Sequence, residues 1–164
     1  MKKVYDTINQ YCVEHELLTN GDGIVIGLSG GMDSVCLLQV LAALRNEWQL
    51  RLVCIHVHHG IRGTAADEDA AFAQRLAAKY NISFRLYEMD IPQLAKEQGL
   101  SEEEAGRNYR YRCFEEVRKE LNFDKIAVAH HRDDQAETVL WQILRGSGLR
   151  GVCGMRAGRA NIIR

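Results

Sequence analysis

Proline is almost missing from this chain: Pro92 is the only one in 164 residues, and no linker, repeat or low-complexity stretch divides the sequence. One domain with short connections is the expectation. Long apolar runs are missing as well. Pieces such as residues 24–28 fall far short of the roughly 20 residues of a membrane helix. The start, Met1-Lys2-Lys3-Val4-Tyr5-Asp6, has no apolar stretch behind its lysines, so no signal peptide is read. A soluble, cytoplasmic chain without a membrane partner follows. Paired cysteines are also lacking. The five present (Cys12, Cys36, Cys54, Cys113 and Cys153) are odd in number, widely spaced and form no C-x-x-C, which argues against a disulfide framework, zinc or an iron–sulfur cluster and for free, buried thiols. Net charge is only −1. Its distribution is uneven, however, because residues 145–164 hold five arginines and no acid, which suits an anionic partner there or a solvated loop. With 46% hydrophobic and 26% charged residues, disorder and fibrous structure are excluded.

What is there alternates. Apolar periodicity predicts a helix over 3–16, ending before Asn20-Gly21-Asp22-Gly23, then a buried strand over 24–28 and a helix over 34–45 with Val35, Leu38, Leu41 and Ala42 on one stripe. A strand over 51–57, a helix over 65–79 with Phe72, Leu76 and Tyr80 in register, and a strand over 82–87 come next. Asp90 suits the cap of a short helix whose first turn tolerates Pro92, and Ser101 with Glu104 forms a capping box for a helix over 101–120. A strand over 125–129 and a helix over 133–144 complete the series, and residues 160–164 look like a strand at its beginning. Strands alternating with helices imply an α/β fold with a mainly parallel sheet flanked by helices, Rossmann-like in arrangement. Ligands in such sheets sit beyond the carboxyl ends of the strands. That singles out the residues after Leu28, after Val57 and after Ala129.

The first of these segments is Ser29-Gly30-Gly31-Met32-Asp33-Ser34, a glycine-rich turn from strand to helix that aims backbone N–H groups and a positive helix end at one point. It lacks the lysine of a Walker A loop and carries Asp33 instead. A carboxylate beside phosphates repels them unless a divalent cation bridges the two, so Asp33 predicts Mg²⁺. The plainer alternative is that Ser29 and Ser34 cap a helix and the glycines make a tight turn. The second segment, Ile55-His56-Val57-His58-His59-Gly60-Ile61-Arg62-Gly63, has three of the six histidines. No acid or cysteine completes a metal site at suitable spacing, so a backbone contact to a nucleotide base is the better reading. The third is His130-His131-Arg132-Asp133-Asp134-Gln135-Ala136-Glu137-Thr138. Asp134, Glu137, Thr138 and Trp141 share one helix face, which suits a metal contact at Asp134 or a general base. Dipole complementation would explain Asp133 and Asp134, but not Glu137. On the helix over 101–120, Arg107, Arg110 and Tyr111 lie on the stripe of Phe114, Val117 and Leu121. Arginines there need an anionic partner, a phosphate or carboxylate, or for Arg107 an ion pair with Glu103 or Glu104.

Ser29-Gly30-Gly31-Met32-Asp33-Ser34 resembles the SGGxDS loop of the PP-loop ATP pyrophosphatases. Taken in order with the histidine segment, E-x-A-G-R-x-x-R-Y, HHRDDQAET and RGSGLRGVCGM, the chain resembles the tRNA(Ile)-lysidine synthases over residues 24–155. Ile61 replaces the usual leucine and Gly106 the usual alanine, the latter weakening its helix by up to about 1 kcal/mol. The resemblance implies a ligase that uses ATP to adenylate the wobble cytidine of an isoleucine tRNA with a CAU anticodon and then joins free L-lysine to it, releasing AMP and pyrophosphate. It further implies that Ser29, Gly30, Gly31, Met32, Asp33 and Ser34 hold the phosphates, with Asp33 and Asp134 on Mg²⁺. By the same likeness His56 and Val57 lie beside adenine, and Asp33, Arg110, Asp134 and Glu137 are catalytic, the roles of Asp134 and Glu137 being exchangeable. Residues 1–164 would be a truncated catalytic domain without the C-terminal tRNA-binding parts, with a homodimer left open. A tRNA thiolation enzyme and a non-catalytic ATP-binding module are the alternatives.

Overall fold

The computed structural model describes residues 2–58, 60, 64–129, 158–159 and 161–163. Among them, β1 (Gly23–Gly27), β2 (Arg51–His58), β3 (Ser83–Glu88), β4 (Lys125–Val128), β5 (Gly158–Arg159) and β6 (Ile162–Ile163) form one sheet in the order β3-β2-β1-β4-β6-β5. The first five strands in that row are parallel, and β5 turns back antiparallel on β6. Helices α1 (Lys2–Glu14), α2 (Met32–Leu44), α3 (Thr64–Lys79), α4 (Ile91–Gln98) and α5 (Glu102–Glu120) connect them. The α/β expectation holds, and the residue 160–164 strand is present as β6. The predicted helix over 133–144 lies outside the described residues.

Side-chain alternation assigns the layers. Ile24, Ile26, Leu52, Cys54 and Ala127 face α1, α2 and α3, whereas Val25, Val53, Ile55, Val57, Ile126 and Val128 face α4 and α5. Burying both faces explains why the strands read as unbroken apolar runs. β1 lies at the centre of the chain's reversal, running to β2 and β3 on one side and to β4 on the other, so the β1/β4 boundary is the topological switch point.

Helix ends depart from the sequence pattern for one shared reason. Four of these five helices close on a residue at positive φ, namely Glu16, Asn81, Gly99 and Asn122, and the turns that follow α2 close likewise at Gln49, each followed by an N–H that reaches back five residues, such as Leu17 N to Cys12 O at 2.9 Å and Phe123 N to Arg118 O at 2.8 Å. α1 therefore stops at Glu14 rather than at 16. Only one of the five caps is glycine, which is why composition did not mark them. The starts were easier to see: Asp90 accepts from Gln93 N at 2.9 Å and Ser101 from Glu104 N at 3.2 Å, each as a side-chain cap.

Two stripes need correction. α3 meets the sheet through Ala70, Ala73 and Ala77, with Leu76 and Tyr80 half-buried and Phe72 exposed, because small side chains let the helix approach closely. On α2 the buried face is Ser34, Leu38, Val40, Leu41 and Leu44, and Val35 is only half-buried. Of the described cysteines, Cys12, Cys54 and Cys113 are buried as expected, but Cys36 is exposed. Burial pushes the Cys54 thiol up to about 12, so it is inert at neutral pH.

Candidate functional site

The turn after β1 is organised around glycine conformation and two hydroxyls. Gly30 has φ +94°, a region costly for any residue with a Cβ, and Gly31 stands at the N-cap of α2 in extended geometry without a side-chain cap bond. Ser29 and Ser34 do not cap the helix. Instead Gly31 N–H donates to Ser29 Oγ at 3.4 Å, Ser29 Oγ donates to Ser34 Oγ at 3.1 Å, and Ser34 Oγ donates to Gly31 O at 2.8 Å. The ring of bonds closes on one residue. It ties the loop together and leaves Gly31, the N-cap of α2, without a side-chain cap bond, which suits an anion at that helix end. Met32 is 88% exposed at the loop's outer side, Asp33 is exposed in the first turn of α2, and Ser34 is buried. Asp69 of α3 flanks the loop: a Cβ built on Gly30 would lie 3.5 Å from its Oδ1.

β2 buttresses this turn from the side. Leu28 N–H donates to Ile55 O at 2.9 Å, and the buried His56 ring lies with Nδ1 2.8 Å from Leu28 O. A carbonyl can only accept, so Nδ1 carries the proton and the ring clamps the residue just before Ser29. Val57 is 8% exposed and belongs to the core under α4 and α5. One residue on, His58 Nδ1 accepts from Gly60 N–H at 3.2 Å, which puts the neutral ring's proton on Nε2. That buried Nε2 lies 3.3 Å from Asp67 Oδ1 but off the line of a hydrogen bond, and it has no hydrogen-bond partner. Gly60 is at φ +68°, and an added Cβ would stand 2.6 Å from Met89 O, so no other residue fits where this loop crosses the β3 to α4 connection.

From the opposite layer comes α5. Phe114 lies on Gly27 so closely that a Cβ there would be 2.8 Å from Cζ. Because α5 ends near the strands' amino termini, its earlier turns point toward their carboxyl ends. Arg110 and Tyr111, one turn before Phe114, therefore stand about 5 Å farther along, level with the Ser29 turn. Both are half-buried, and among the described residues Arg110 Nε and Tyr111 Oη are buried without a hydrogen-bond partner. Burial lowers the Arg110 pKa, the nearby Tyr111 phenol raises it in part, and Arg107 lowers it again. Arg107 itself is exposed and off the core stripe.

The structure thus brings Ser29, Gly30, Gly31, Met32, Asp33 and Ser34 onto one loop, sets His56 and Val57 beside it, and carries Arg110 to its level from the other face. Asp134 and Glu137 lie outside the described residues. Sequence reasoning gave Asp67 and Asp69 no place near the loop. The only signal was Asp67 in the first turn of the helix that follows the histidine segment, with Asp69 two residues on.

A family model described as a PP-loop domain matches residues 2–164. The chain belongs to that PP-loop domain family. Its relatives include a tRNA(Ile)-lysidine synthase of Caldanaerobacter subterraneus subsp. tengcongensis, 48% identical over 100% of this chain and 34% of the relative. Another, from Clostridium tetani, is 42% identical over 97% of this chain and 33% of that protein. The chain thus spans about a third of the length of these curated relatives. Among solved structures, a U34-tRNA thiolase from Methanococcus maripaludis with its [4Fe-4S] cluster superposes with a TM-score of 0.68 at 24% identity, covering 91% of this chain and 53% of that one, a likeness of fold. The match takes in the Ser29 to Ser34 turn and every element described above.

Proposed function

We propose that this PP-loop chain is the adenylating part of a tRNA(Ile)-lysidine synthase, which uses ATP to activate the wobble cytidine of a CAU-anticodon isoleucine tRNA and joins free L-lysine to it. One observation carries the site: the N-terminus of α2, whose N-cap Gly31 makes no side-chain cap bond, and Arg110 of α5, whose buried Nε has no hydrogen-bond partner among the described residues, stand on opposite faces of the sheet. A buried guanidinium with an unused N–H is costly unless an anion meets it, so the pair fits a phosphate chain entering over Gly30 and Gly31. The extent and identity of the likeness to lysidine synthases support the substrate.

On this reading Ser29, Gly30, Gly31, Met32, Asp33 and Ser34 form the phosphate cradle, chiefly through backbone N–H groups. Arg110 neutralises charge gathering on the phosphoryl group as cytidine attacks and pyrophosphate leaves. Asp33, with Asp134, would hold Mg²⁺, which screens the phosphates from their carboxylates. Val57 reaches adenine through its backbone, since its side chain is core, and His56 acts by fixing Leu28. Glu137 takes the proton from the lysine amine as it displaces AMP. A cytoplasmic setting and arginine contacts from residues 145–164 to tRNA phosphates belong to the same proposal.

Two measurements test it. Calorimetric binding of α,β-methylene ATP should tighten with Mg²⁺ in the parent and lose that response in Asp33→Ala. AMP release should then require both the tRNA and lysine, with lysidine appearing at the wobble position. AMP release that needs a sulfur donor instead would move the chain to thiolation. Nucleotide binding that never leads to AMP, with or without Glu137→Ala, would leave a non-catalytic module.

A further inference from the structure

Tyr111 has no task in the reaction above. Its hydroxyl is nonetheless one of three buried side-chain polar atoms without a partner among the described residues, and Nε of the preceding residue, Arg110, is another. An unsatisfied buried hydroxyl is costly and uncommon, so its retention next to an unsatisfied guanidinium calls for an explanation. The ring is held edge-on against Phe114, with centroids 6.0 Å apart at 70°, and Phe114 rests on Gly27 at the root of the PP-loop. In this position the phenol hydroxyl is buried away from solvent. Two donors, a guanidinium and a phenol that senses it electrostatically, thus sit on consecutive residues of α5, on the layer opposite α2.

We propose that Tyr111 is a substrate-contacting residue whose hydroxyl, with Arg110 Nε–H, makes a two-donor notch for one oxyanion of the reactants. A single guanidinium N–H neutralises charge but leaves its partner free to pivot, and a second, rigid donor fixes the orientation of the group it holds. Two sources have the required chemistry: an α-phosphoryl oxygen of the nucleotide and the carboxylate of the incoming amino acid. This inference rests on the adenylating reading given above.

The test is Tyr111→Phe, which removes one oxygen and keeps the ring on Phe114. Because that oxygen is unpaired in the free protein, the variant should unfold at the same temperature as the parent or higher. Binding should nonetheless weaken by roughly 10-fold or more, as expected for losing a hydrogen bond to a charged group. If the notch holds phosphate, α,β-methylene ATP weakens while inorganic pyrophosphate, seated on the loop, is unaffected. If it holds the carboxylate, nucleotide binding is unchanged and the lysine concentration for half-maximal AMP release rises, whereas lysinamide is used equally by parent and variant. A lower unfolding temperature with the nucleotide and lysine responses unchanged makes the hydroxyl structural and overturns the proposal. Unchanged binding in every arm overturns it too, with the adenylating reading intact. A parent that binds neither nucleotide nor lysine removes that reading and the notch together.

Discussion

The two edges of the sheet are built on opposite terms. At the amino edge, charges are spent on one another. Asp22 Oδ2 accepts from Lys125 Nζ and from Thr19 N–H, both at 2.7 Å, and Lys125 also donates to Leu17 O at 2.8 Å. Asp124 Oδ2 accepts from Gly23 N–H at 2.7 Å, and Arg51 pairs with Asp124 while lying 5.0 Å over the Phe123 ring. At the carboxyl edge, three buried side-chain atoms have no hydrogen-bond partner among the described residues: His58 Nε2, which has only the Asp67 carboxylate off the hydrogen-bond line, Arg110 Nε and Tyr111 Oη. Among the described residues, buried side-chain donors at the amino edge meet acceptors inside the protein, and those without a hydrogen-bond partner gather at the other edge. Unsatisfied groups concentrated on one side of a fold locate a site without reference to any motif.

Substitutions should separate the edges. Asp22→Ala leaves a largely buried Lys125 ammonium without its counter-charge, and about 3–5 kcal/mol of stability should vanish in urea unfolding, with nucleotide affinity of the folded protein unchanged. A coupled loss of affinity would break the division between the edges. His56→Phe removes the donor to Leu28 O at the root of the loop, so about 1–3 kcal/mol should go, this time together with affinity for the ATP analogue. Gly30→Ala places a side chain at φ +94° with only ordinary contacts around it. Stability should fall by about 1–2 kcal/mol, but binding measured by calorimetry should drop more than about tenfold, the reverse of the Asp22 pattern. The smallest effect belongs to Glu115, whose pKa is lowered first by its hydrogen bonds from Arg118. A carboxylate depressed on folding adds stability above its unfolded pKa of about 4.3 and loses it as pH falls through the folded value. Since Glu115 is 35% exposed, the gain is well under 1 kcal/mol. Glu115→Gln should flatten the acid limb of the unfolding curve slightly and leave neutral pH almost unchanged.

Much of the scaffold was legible because local chemistry carried it. The apolar runs at Ile24 and Val53, the caps Asp90 and Ser101 and the loop Ser29 to Ser34 all state their role within a few residues. What was hidden depends on partners far away in sequence. No local pattern says that Phe114 will lie on Gly27, that Ala73 and Ala77 rather than Phe72 will face the sheet, or that Glu16 will end a helix by turning left-handed. The site divides in the same way. Its glycine-rich loop is a contiguous string, whereas the position of Arg110 and the burial of the Tyr111 hydroxyl exist only once α5 has docked.

β1 has a neighbour on each side, and the second arrives late. Gly23 is bound to Asp124 across 101 positions, and β4 follows at once. At roughly 5–20 residues per second, a ribosome needs on the order of 5–20 s to make the intervening segment. For that interval the strand Gly-Ile-Val-Ile-Gly has β2 on one side and an unpaired apolar edge on the other, the kind of edge that recruits foreign strands. The central strand, and the binding turn it carries, are therefore among the first parts of the sheet to be synthesised and among the last to be safe.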